Sequence, residues 1–378
     1  MAQECGEPQG PARGALMTQA LERLTRYIQQ RGLDAALINS SEHLASPNLK
    51  YVTGFRGSDA CAVITPTERH LITDGRYKLQ AAQEAPDFKL HVTRDKTAVL
   101  ARLLITRKLF RLAIEPARVT HELITNLTRK APGLVLRPLN KKFLEHFRIR
   151  KTPAEIELVK KAAEIASEAC RRVVEEGLAG RTELEIAGKL ELLFRSLGAD
   201  CPSFPTIVAS GARSALPHAV PTPKEILPGD LTILDFGCSL SGYSSDETVT
   251  CVAAASPTPL QKRMYEVVRE AQLRAIDSLR VGVAVGAVDE VARKCIADAG
   301  FGKHFVHGLG HGVGLEVHEP PWLTPKGKEV LEEGMIMTIE PGIYIEGVGG
   351  VRLESLIAMR TDGPVILSQM PKDLILVN

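Results

Sequence analysis

Five residues toward the C-terminus have side chains that can hold metal ions or transfer protons, and each lies in an apolar stretch punctuated by glycine. They are Asp235 and Asp246 (in 231–250), His311 (in 307–319), Glu340 (in 334–345) and Glu354 (in 349–357). Carboxylates in such stretches should be buried, and a buried charge must be paired or bound to metal because an unpaired one is costly. Arg352 is the one basic residue in these stretches. The excess of negative charge therefore predicts a metal site.

The spacing of the first two acids supports this interpretation. Asp235 and Asp246 flank a predicted turn near Ser239–Gly242, and their numbers are symmetric about the middle of that turn. In an antiparallel hairpin they would face each other with Cβ atoms about 5 Å apart, which is unfavourable unless a cation lies between them. Four carboxylates and one imidazole suit hard or borderline divalent ions. Bridging carboxylates would hold two such ions about 3.5–4 Å apart, an arrangement used for hydrolysis.

An internal repeat relates the segments that carry the acids. With a shift of 105 residues, 229–242 aligns with 334–347. Asp235 then falls on Glu340, and three glycines of the first segment fall on glycines of the second. The repeat predicts that each half of this region contributes an acid at the same structural position.

The repeat extends on both sides of these segments. Residues 177–189 align with 282–294 under the same shift, and Asp246 aligns with Glu354 after a three-residue insertion. Each half is therefore predicted to form a helix, a strand with an acid, a turn, and a second strand with an acid. Two such halves would face each other and share one site. The alternative is that short glycine-rich strands align by chance.

The chain is predicted to contain two domains after a short tail. Residues 1–14 are polar and rich in Gly and Pro, which predicts disorder, and the apolar spacing of Ala15–Gln30 predicts a helix. Short apolar runs alternating with helical stretches then predict a mixed α/β domain over 15–147. Thr152–Glu155 forms a capping box with proline at the first helical position, and it begins the first long helix of a second domain at 148–378.

Composition excludes several classes of protein. The 378 residues include 47 basic and 45 acidic side chains, so the net charge of +2 gives no support for a nucleic-acid partner. The seven cysteines contain no C-x-x-C pair, which is typical of a reducing compartment. Cys238 lies at an odd offset from Asp235 and should point to the opposite strand face. Without a long apolar stretch or an apolar leader, we expect a soluble cytoplasmic protein with no membrane contact.

The motifs resemble those of the pita-bread metallopeptidases of family M24, in the branch of Xaa-Pro aminopeptidase and Xaa-Pro dipeptidase (prolidase). The resemblance is strong over 148–378, through HGLGHGVGLEVHE (307–319) and EPGIY (340–344). It is looser in the N-terminal part, through YVTGFRGSDACAVI (51–64) and TDGRY (73–77). The resemblance implies an α/β (α+β) fold, with a creatinase-like mixed α/β domain followed by a pita-bread domain with a pseudo-twofold repeat.

The resemblance also implies a ligand set and a cofactor. Asp235 would chelate one metal ion, His311 and Glu340 would hold the other, and Asp246 and Glu354 would bridge the two. The cofactor would be two divalent ions per chain, with Mn²⁺ expected and Co²⁺ or Zn²⁺ as alternatives. Glu340 would also pass a proton to the leaving amine.

Three further histidines are candidate substrate contacts by the same resemblance. His318 follows His311 by seven residues, His218 lies in a proline-rich predicted loop, and His307 precedes a glycine-rich turn. The alternatives are a core histidine for His318 and a surface histidine for His218. Arg352, two residues before Glu354, is predicted to balance charge and to anchor substrate. Tyr344 either donates a hydrogen bond to the developing oxyanion or only packs.

The principal functional hypothesis is a metal-dependent Xaa-Pro aminopeptidase acting on short proline-containing peptides through hydroxide activated by two metal ions. The segment GFRGSD (54–59) slightly favours it over the alternative, an Xaa-Pro dipeptidase. Methionine aminopeptidase, a creatinase-like amidinohydrolase and a non-enzymatic binding module are weaker hypotheses. Val249 and Ser355 depart from the family pattern and leave substrate choice open. We also expect a homodimer.

Overall fold

The computed structural model describes residues 11–377, and the chain divides after Phe147 into two compact units. The first helix begins at Pro11 rather than at the predicted Ala15. Of the tail predicted to be disordered, residues 1–10 lie outside the described residues, whereas 11–14 belong to this helix. Within residues 11–377, every helix is too short or too polar to cross a membrane.

The N-terminal unit is built on one mixed six-stranded sheet in the order β4-β3-β2-β1-β5-β6. Its elements are α1 (Pro11–Gln30), β1 (Ala35–Ser40), α2 (Pro47–Thr53), β2 (Ala60–Ile64), β3 (Arg69–Thr73), α3 (Lys78–Glu84), β4 (Lys89–Val92), α4 (Lys96–Thr106), β5 (Arg111–Ile114), α5 (His121–Lys130), β6 (Val135–Pro138) and α6 (Lys141–Arg148).

Alternating residues of the central strand enter two different apolar cores. Ile38 of β1 packs in a core with Leu24 of α1, whereas Leu37 packs in a second core with Leu104 of α4. Because successive strand residues point to opposite faces, one buried strand supplies both cores. Residues 35–38 of β1 are therefore continuously apolar, as expected for a strand covered by helices on both faces.

The C-terminal unit contains four long helices and four small sheets. Its elements are α7 (Pro153–Glu175), α8 (Glu183–Ser196), β7 (Cys201–Pro202), β8 (Ile207–Ser210), β9 (Leu231–Phe236), β10 (Cys238–Leu240), β11 (Tyr243–Ser244), β12 (Glu247–Ala253), α9 (Pro259–Ser278), α10 (Val285–Asp298), β13 (Gly310–Gly312), β14 (Glu319–Leu323), β15 (Ile336–Ile339), β16 (Gly342–Ile345), β17 (Gly349–Arg352), β18 (Ser355–Arg360), β19 (Gly363–Ile366) and β20 (Ile375–Val377).

The predicted repeat is confirmed by the order of these elements. In the first half, α7 and α8 are followed by strands paired in the order β8-β9-β12. In the second half, α9 and α10 are followed by strands paired in the order β13-β15-β18. Gly229 and Gly334, which the 105-residue shift superposes, both have a left-handed backbone, with φ of 90° and 84°. The same turn therefore leads into the acid-bearing strand in both halves.

The predicted register between Asp235 and Asp246 is wrong by two residues. Asp235 pairs with Thr248 across β9 and β12, and Asp246 lies just before β12 begins. The cause is a tight two-residue turn at Ser241 and Gly242, which both have positive φ, whereas the prediction centred the hairpin one residue earlier. Asp246 therefore approaches Asp235 from the end of the neighbouring strand rather than from directly opposite.

Candidate metal centre

All five residues predicted as metal ligands line one cavity of about 480 Å³ within the C-terminal unit. Asp235 lies on β9 and His311 on β13, whereas the other three occupy the irregular backbone next to strands β12, β15 and β18. Strand ends are suited to this task because the strand fixes the backbone while the side chain remains free to face the cavity. Both halves of the repeat therefore deliver ligands to one place.

The ligand atoms of these side chains are close enough to share metal ions. Three groups have one candidate ligand atom per residue, all within 4.8 Å of one another: Asp235, Asp246 and Glu354; His311, Glu340 and Glu354; and Asp246, His311 and His318. The first two groups share Glu354. This sharing is the geometry expected if a carboxylate bridges two ions.

The electrostatics of the site favour bound cations. Burial, followed by repulsion from neighbouring carboxylates, raises the pKa of Asp246 and of Glu354 well above the ordinary range. Burial likewise raises the pKa of Glu340 to about 8. Among the described residues, buried Asp235 Oδ1 has no hydrogen-bond partner. The donor set thus fits a pair of divalent ions, which would satisfy this oxygen and favour the ionised carboxyls.

His311 is prepared to act as a neutral ligand. Its Nδ1 lies 3.1 Å from the carbonyl oxygen of Gly312, so Nδ1 carries the proton and donates it there. The bare Nε2 then faces the acids, 3.3 Å from Glu340 Oε1 and 3.6 Å from Asp246 Oδ2. Burial lowers the pKa of His311 to about 4, which keeps the imidazole neutral near pH 7.

Arg352 is the cation that links the two halves of the site. Its Nη2 donates to Asp235 Oδ2 at 2.6 Å, and its Nη1 donates to Tyr344 Oη at 2.8 Å and to the Pro217 carbonyl oxygen at 3.1 Å. Its Nε donates to Thr248 Oγ1 at 3.3 Å. The contact to Asp235 places one positive charge against four carboxylates, which leaves an excess of negative charge that bound cations or protonation of the carboxyls can remove.

Tyr344 and His307 form a chain that holds Arg352 in place. His307 Nδ1 lies 2.8 Å from the Gly308 carbonyl oxygen and donates to it, so Nε2 is the acceptor. Tyr344 Oη, 2.9 Å away, donates to that Nε2 while it accepts from Arg352. Tyr344 is 7% exposed and lies behind the cavity wall, whereas His307 lines the cavity. This position gives Tyr344 a role that the sequence analysis did not consider, which is support of Arg352.

His218 and His318 are exposed residues of the cavity wall. The His318 ring packs against that of His311, with centroids 4.3 Å apart. His318 also belongs to one of the three ligand groups, so a metal ion held by Asp246 and His311 would lie within its reach. Its predicted role as a substrate contact remains a prediction.

Three polar residues that support the ligands were missed by the sequence analysis. Thr248 Oγ1 donates to Glu354 Oε2 at 2.6 Å. Thr338 Oγ1 accepts from the backbone N–H of His311 at 3.0 Å and donates to Glu340 Oε1 at 3.2 Å. Gln272 Nε2 donates to the carbonyl oxygens of Ile339 and Leu353, at 3.0 and 2.9 Å, next to two ligands.

Two buried cations fix the loop that carries His318. Lys151 Nζ lies 2.7 Å from Glu319 Oε1, and both side chains are almost fully buried. Arg148 Nη2 lies 2.5 Å from Glu316 Oε2 and 3.4 Å from Glu319 Oε2. The residue after His318 is thus paired with two cations from the first residues of the C-terminal unit. A buried pair of this kind adds little stability over an apolar replacement, but loss of one partner leaves a buried charge and is costly.

The two departures from the family pattern lie outside the cavity lining. Val249 is fully buried in an apolar core together with Leu234 and Phe236. Ser355 is buried, and its Oγ accepts from Gln272 Nε2 at 3.4 Å. Cys238 is also buried and donates to the Ala162 carbonyl oxygen, as expected for a residue on the opposite strand face.

Comparisons with known proteins give a consistent result. Residues 157–361 match the model of metallopeptidase family M24, and residues 21–149 match that of the creatinase/prolidase N-terminal domain. The chain is 35% identical to an Xaa-Pro dipeptidase of Pyrococcus horikoshii over 95% of its length and 99% of the relative's.

Two solved structures cover nearly the whole chain. One is an Xaa-Pro dipeptidase from Bacillus anthracis, 35% identical with a TM-score of 0.89, covering 96% of this chain and 100% of its own. The other is an X-Pro aminopeptidase from Thermotoga maritima, 37% identical with a TM-score of 0.88, covering 94% of this chain and 100% of its own. Both the dipeptidase and the aminopeptidase class are therefore represented among similar structures.

Proposed function

Because the chain belongs to metallopeptidase family M24, we propose that it is an Xaa-Pro dipeptidase that works with two divalent ions. The observation that carries the proposal is the convergence of carboxylate and imidazole ligand atoms from both halves of the repeat in one cavity. The substrate class is taken from relatives that match over nearly their full length and are named Xaa-Pro dipeptidase.

The two ligand groups that share Glu354 define the proposed ion positions. One ion is assigned to Asp235, Asp246 and Glu354, and the other to His311, Glu340 and Glu354. Asp246 also lies within reach of His311, which supports a bridging role. We propose Mn²⁺ because oxygen-rich donor sets suit harder ions, with Co²⁺ and Zn²⁺ as alternatives. When bound, such a pair supplies hydroxide near neutral pH and polarises the scissile carbonyl group.

The protein's own side chains would position the substrate and move the proton. Glu340 borders the cavity with a partly exposed carboxyl, so it can carry a proton to the leaving proline nitrogen. His318 is placed to donate to the substrate as charge develops on the carbonyl oxygen, whereas His307 lines the cavity with both ring nitrogens already bonded to Gly308 and Tyr344. Arg352 holds Asp235 in its ligand orientation through the bond at 2.6 Å.

The cavity also has surfaces suited to a proline dipeptide. Phe204, Ile207 and Trp322 line it and offer an apolar surface for the pyrrolidine ring, which has no N–H to satisfy. His218 lines the same cavity and has no partner among the described residues, so we assign it to the substrate's terminal carboxylate. A dipeptide presents that carboxylate on the proline itself, whereas a longer peptide presents an amide there.

The second candidate is an Xaa-Pro aminopeptidase, the principal hypothesis from the sequence. The 37% identity to the Thermotoga maritima X-Pro aminopeptidase favours it, as does the GFRGSD segment. The two candidates differ in whether residues beyond proline are accepted.

A comparison of kcat/KM for Ala-Pro, Ala-Pro-Ala and Ala-Ala at fixed Mn²⁺ tests the proposal. We expect Ala-Pro to be cleaved and both other peptides to be poor substrates, because one lacks the carboxylate on proline and the other lacks the ring. Chelation should abolish turnover, and added Mn²⁺ should restore it. Cleavage of Ala-Pro-Ala at a rate equal to or above that of Ala-Pro would assign the chain to the aminopeptidases instead.

A further inference from the structure

A second cavity, of about 410 Å³, lies entirely within the N-terminal unit. It is formed by the edge strand β4, its neighbour β3 and the C-terminal half of helix α4. Five nitrogen-bearing side chains from these elements line it: His70, Lys89, His91, Arg102 and Arg107. No carboxylate is among the lining residues, so the cavity is basic in its chemistry.

The permanent positive charges around this cavity exceed the nearby negative charge. Glu68 is the carboxylate bonded to them, with Oε1 2.9 Å from Lys89 Nζ and Oε2 3.3 Å from Arg107 Nε. The exposed guanidinium group of Arg102 has no hydrogen-bond or ion-pair partner among the described residues. Three cations and one carboxylate leave an excess of two positive charges. The dipole of α4 places only about half a negative charge at its end, which is too little to account for that excess.

A pair of hydrogen-bonded imidazoles lies beside these cations. His70 is 1% exposed, and its Nε2 lies 3.1 Å from Glu68 Oε2. Its Nδ1 lies 3.0 Å from Nε2 of His91. If His70 donates to the carboxylate, it must accept from His91, which leaves Nδ1 of His91 as a bare lone pair. Solvation of the cations alone does not require this buried chain of hydrogen bonds from Glu68 through His70 to His91.

We propose that this cavity binds a phosphate group, carried by a small phosphate monoester. A phosphate dianion matches the excess of two positive charges, and the planar guanidinium groups of Arg102 and Arg107 suit its oxygens. Val99 and Leu103 line the same cavity and give an organic substituent an apolar surface. The site lies wholly in the N-terminal unit and does not depend on the proposed peptidase activity.

Binding is coupled to protonation of His91. In the free protein, burial lowers the pKa of His91, and His70, Arg102 and Lys89 lower it further. Glu68 and Arg107 complete the charged groups around the pair. A bound dianion offsets the repulsion between these cations and a protonated His91. One of its oxygens also accepts a hydrogen bond from Nδ1–H of His91. Binding therefore raises the pKa of His91 and takes up a proton, so affinity increases as pH falls.

Titration calorimetry of the Mn²⁺-loaded full chain with inorganic phosphate and with phenyl phosphate tests the site. Both probes should bind, and phenyl phosphate should bind more tightly because its ring packs on Val99 and Leu103. Arg102→Gln should weaken both at least about tenfold, the scale of one hydrogen bond between charged groups. Arg137→Gln, on β6 at the other edge of the sheet, is the matched control and should leave both affinities unchanged.

Phosphate can also bind metal ions, so only binding that Arg102→Gln removes is assigned to this cavity. Phosphate and phenyl phosphate affinities that are the same in Arg102→Gln as in the unaltered chain would overturn the proposal. Sulfate remains a dianion from pH 5.5 to 7.5, so a change in its affinity over this range comes from protonation of the protein. Its affinity should increase toward pH 5.5 in the unaltered chain, and His91→Gln should remove that increase. A pH dependence that His91→Gln leaves intact would overturn the coupling.

Discussion

The two halves of the C-terminal unit share a scaffold but contribute unequally to the cavity. The first half provides Asp235 and Asp246, whereas the second provides Glu340, Glu354 and also His311. Under the 105-residue shift, His311 falls on a threonine in the first half. The repeat therefore accounts for the positions of the four acids. The candidate imidazole ligand, His311, is found only in the second half.

The hairpins next to the ligands differ in the same way. In the first half, β10 and β11 are joined by a tight turn and pair over two residues, whereas β16 and β17 pair over four. The longer hairpin ends at Arg352, which crosses to Asp235 of the other half. Arg352 lies two residues before Glu354, just as Ser244 lies two residues before Asp246, so the second half adds one cation to the shared set of acids.

Replacing one bridging acid from each half tests whether the halves contribute equally. Asp246→Asn and Glu354→Gln should each lose metal and lower kcat/KM at least about a hundredfold, the scale on which groups around developing charge act. Metal content by mass spectrometry and initial rates provide the measurement. Asp298→Asn, an exposed residue paired with Lys294, is the matched control. Normal kinetics in either bridging variant would remove that residue from the shared position.

The residues that differ between the halves should separate metal binding from substrate binding. His311→Ala should lose metal, whereas Thr206→Val at the repeat-related position should retain it, because Thr206 belongs to none of the ligand groups. His318→Ala should retain both ions and lower kcat/KM roughly tenfold, as one lost bond to a charged group would. Equal metal content in the two histidine variants would contradict their separate roles.

Arg352→Lys tests the cation that links the halves. Lysine keeps the charge but cannot reproduce the fork that contacts Asp235, Tyr344 and the Pro217 carbonyl oxygen. We expect kcat/KM to fall about tenfold with little loss of metal. Tyr344→Phe should lower it less, since it removes one of these contacts. A lysine variant with full activity would show that charge alone suffices.

The smallest expected effect concerns the stability of metal-free protein. The pKa of Glu340 is about 8 in the folded protein and near 4.5 in the unfolded chain. Between pH 4.5 and pH 8 the folded state therefore binds more protons than the unfolded state. Stability should then fall as pH rises, by about 1–2 kcal/mol from pH 6.5 to 8. His311 has a pKa of about 4 when folded and 6.5 when unfolded, so the unfolded chain loses a proton there as pH rises, which offsets about 0.4 kcal/mol of this decline. Urea unfolding should show the decline in metal-free protein, a weaker decline in Glu340→Gln, and none with Mn²⁺ bound.

The sequence predicted the features that local rules determine. The threonine cap at Thr152, followed three residues later by Glu155, begins α7 where the capping box predicted it, and the same pattern caps α8 and α9. The repeat predicted which strands carry acids, because the same glycine turns precede them. Thr338 was also within reach of prediction, since it lies two residues before Glu340 on the same strand face.

Other features depend on contacts distant in sequence. The turn at Ser241 and Gly242 pairs Asp235 with Thr248, whereas the symmetric numbering of the two aspartates had predicted pairing with Asp246. The partners of Arg352 lie more than a hundred residues away, apart from Tyr344, and no spacing rule relates them. Gln272 lies on helix α9 and donates to the carbonyl oxygens of Ile339, at the end of β15, and of Leu353, between β17 and β18. Such contacts follow from the packing of whole elements and therefore required the structure.

The pairing of Glu319 with Lys151 and Arg148 determines where the C-terminal unit can be cut from the rest of the chain. Helix α7 begins at Pro153, and a truncation placed just before it would remove both cations. Glu319 would then be buried and unpaired, a defect that typically costs about 3–5 kcal/mol. An excised unit should therefore start at or before Arg148. Arg148 and Lys151 then remain paired with Glu316 and Glu319 beside His318.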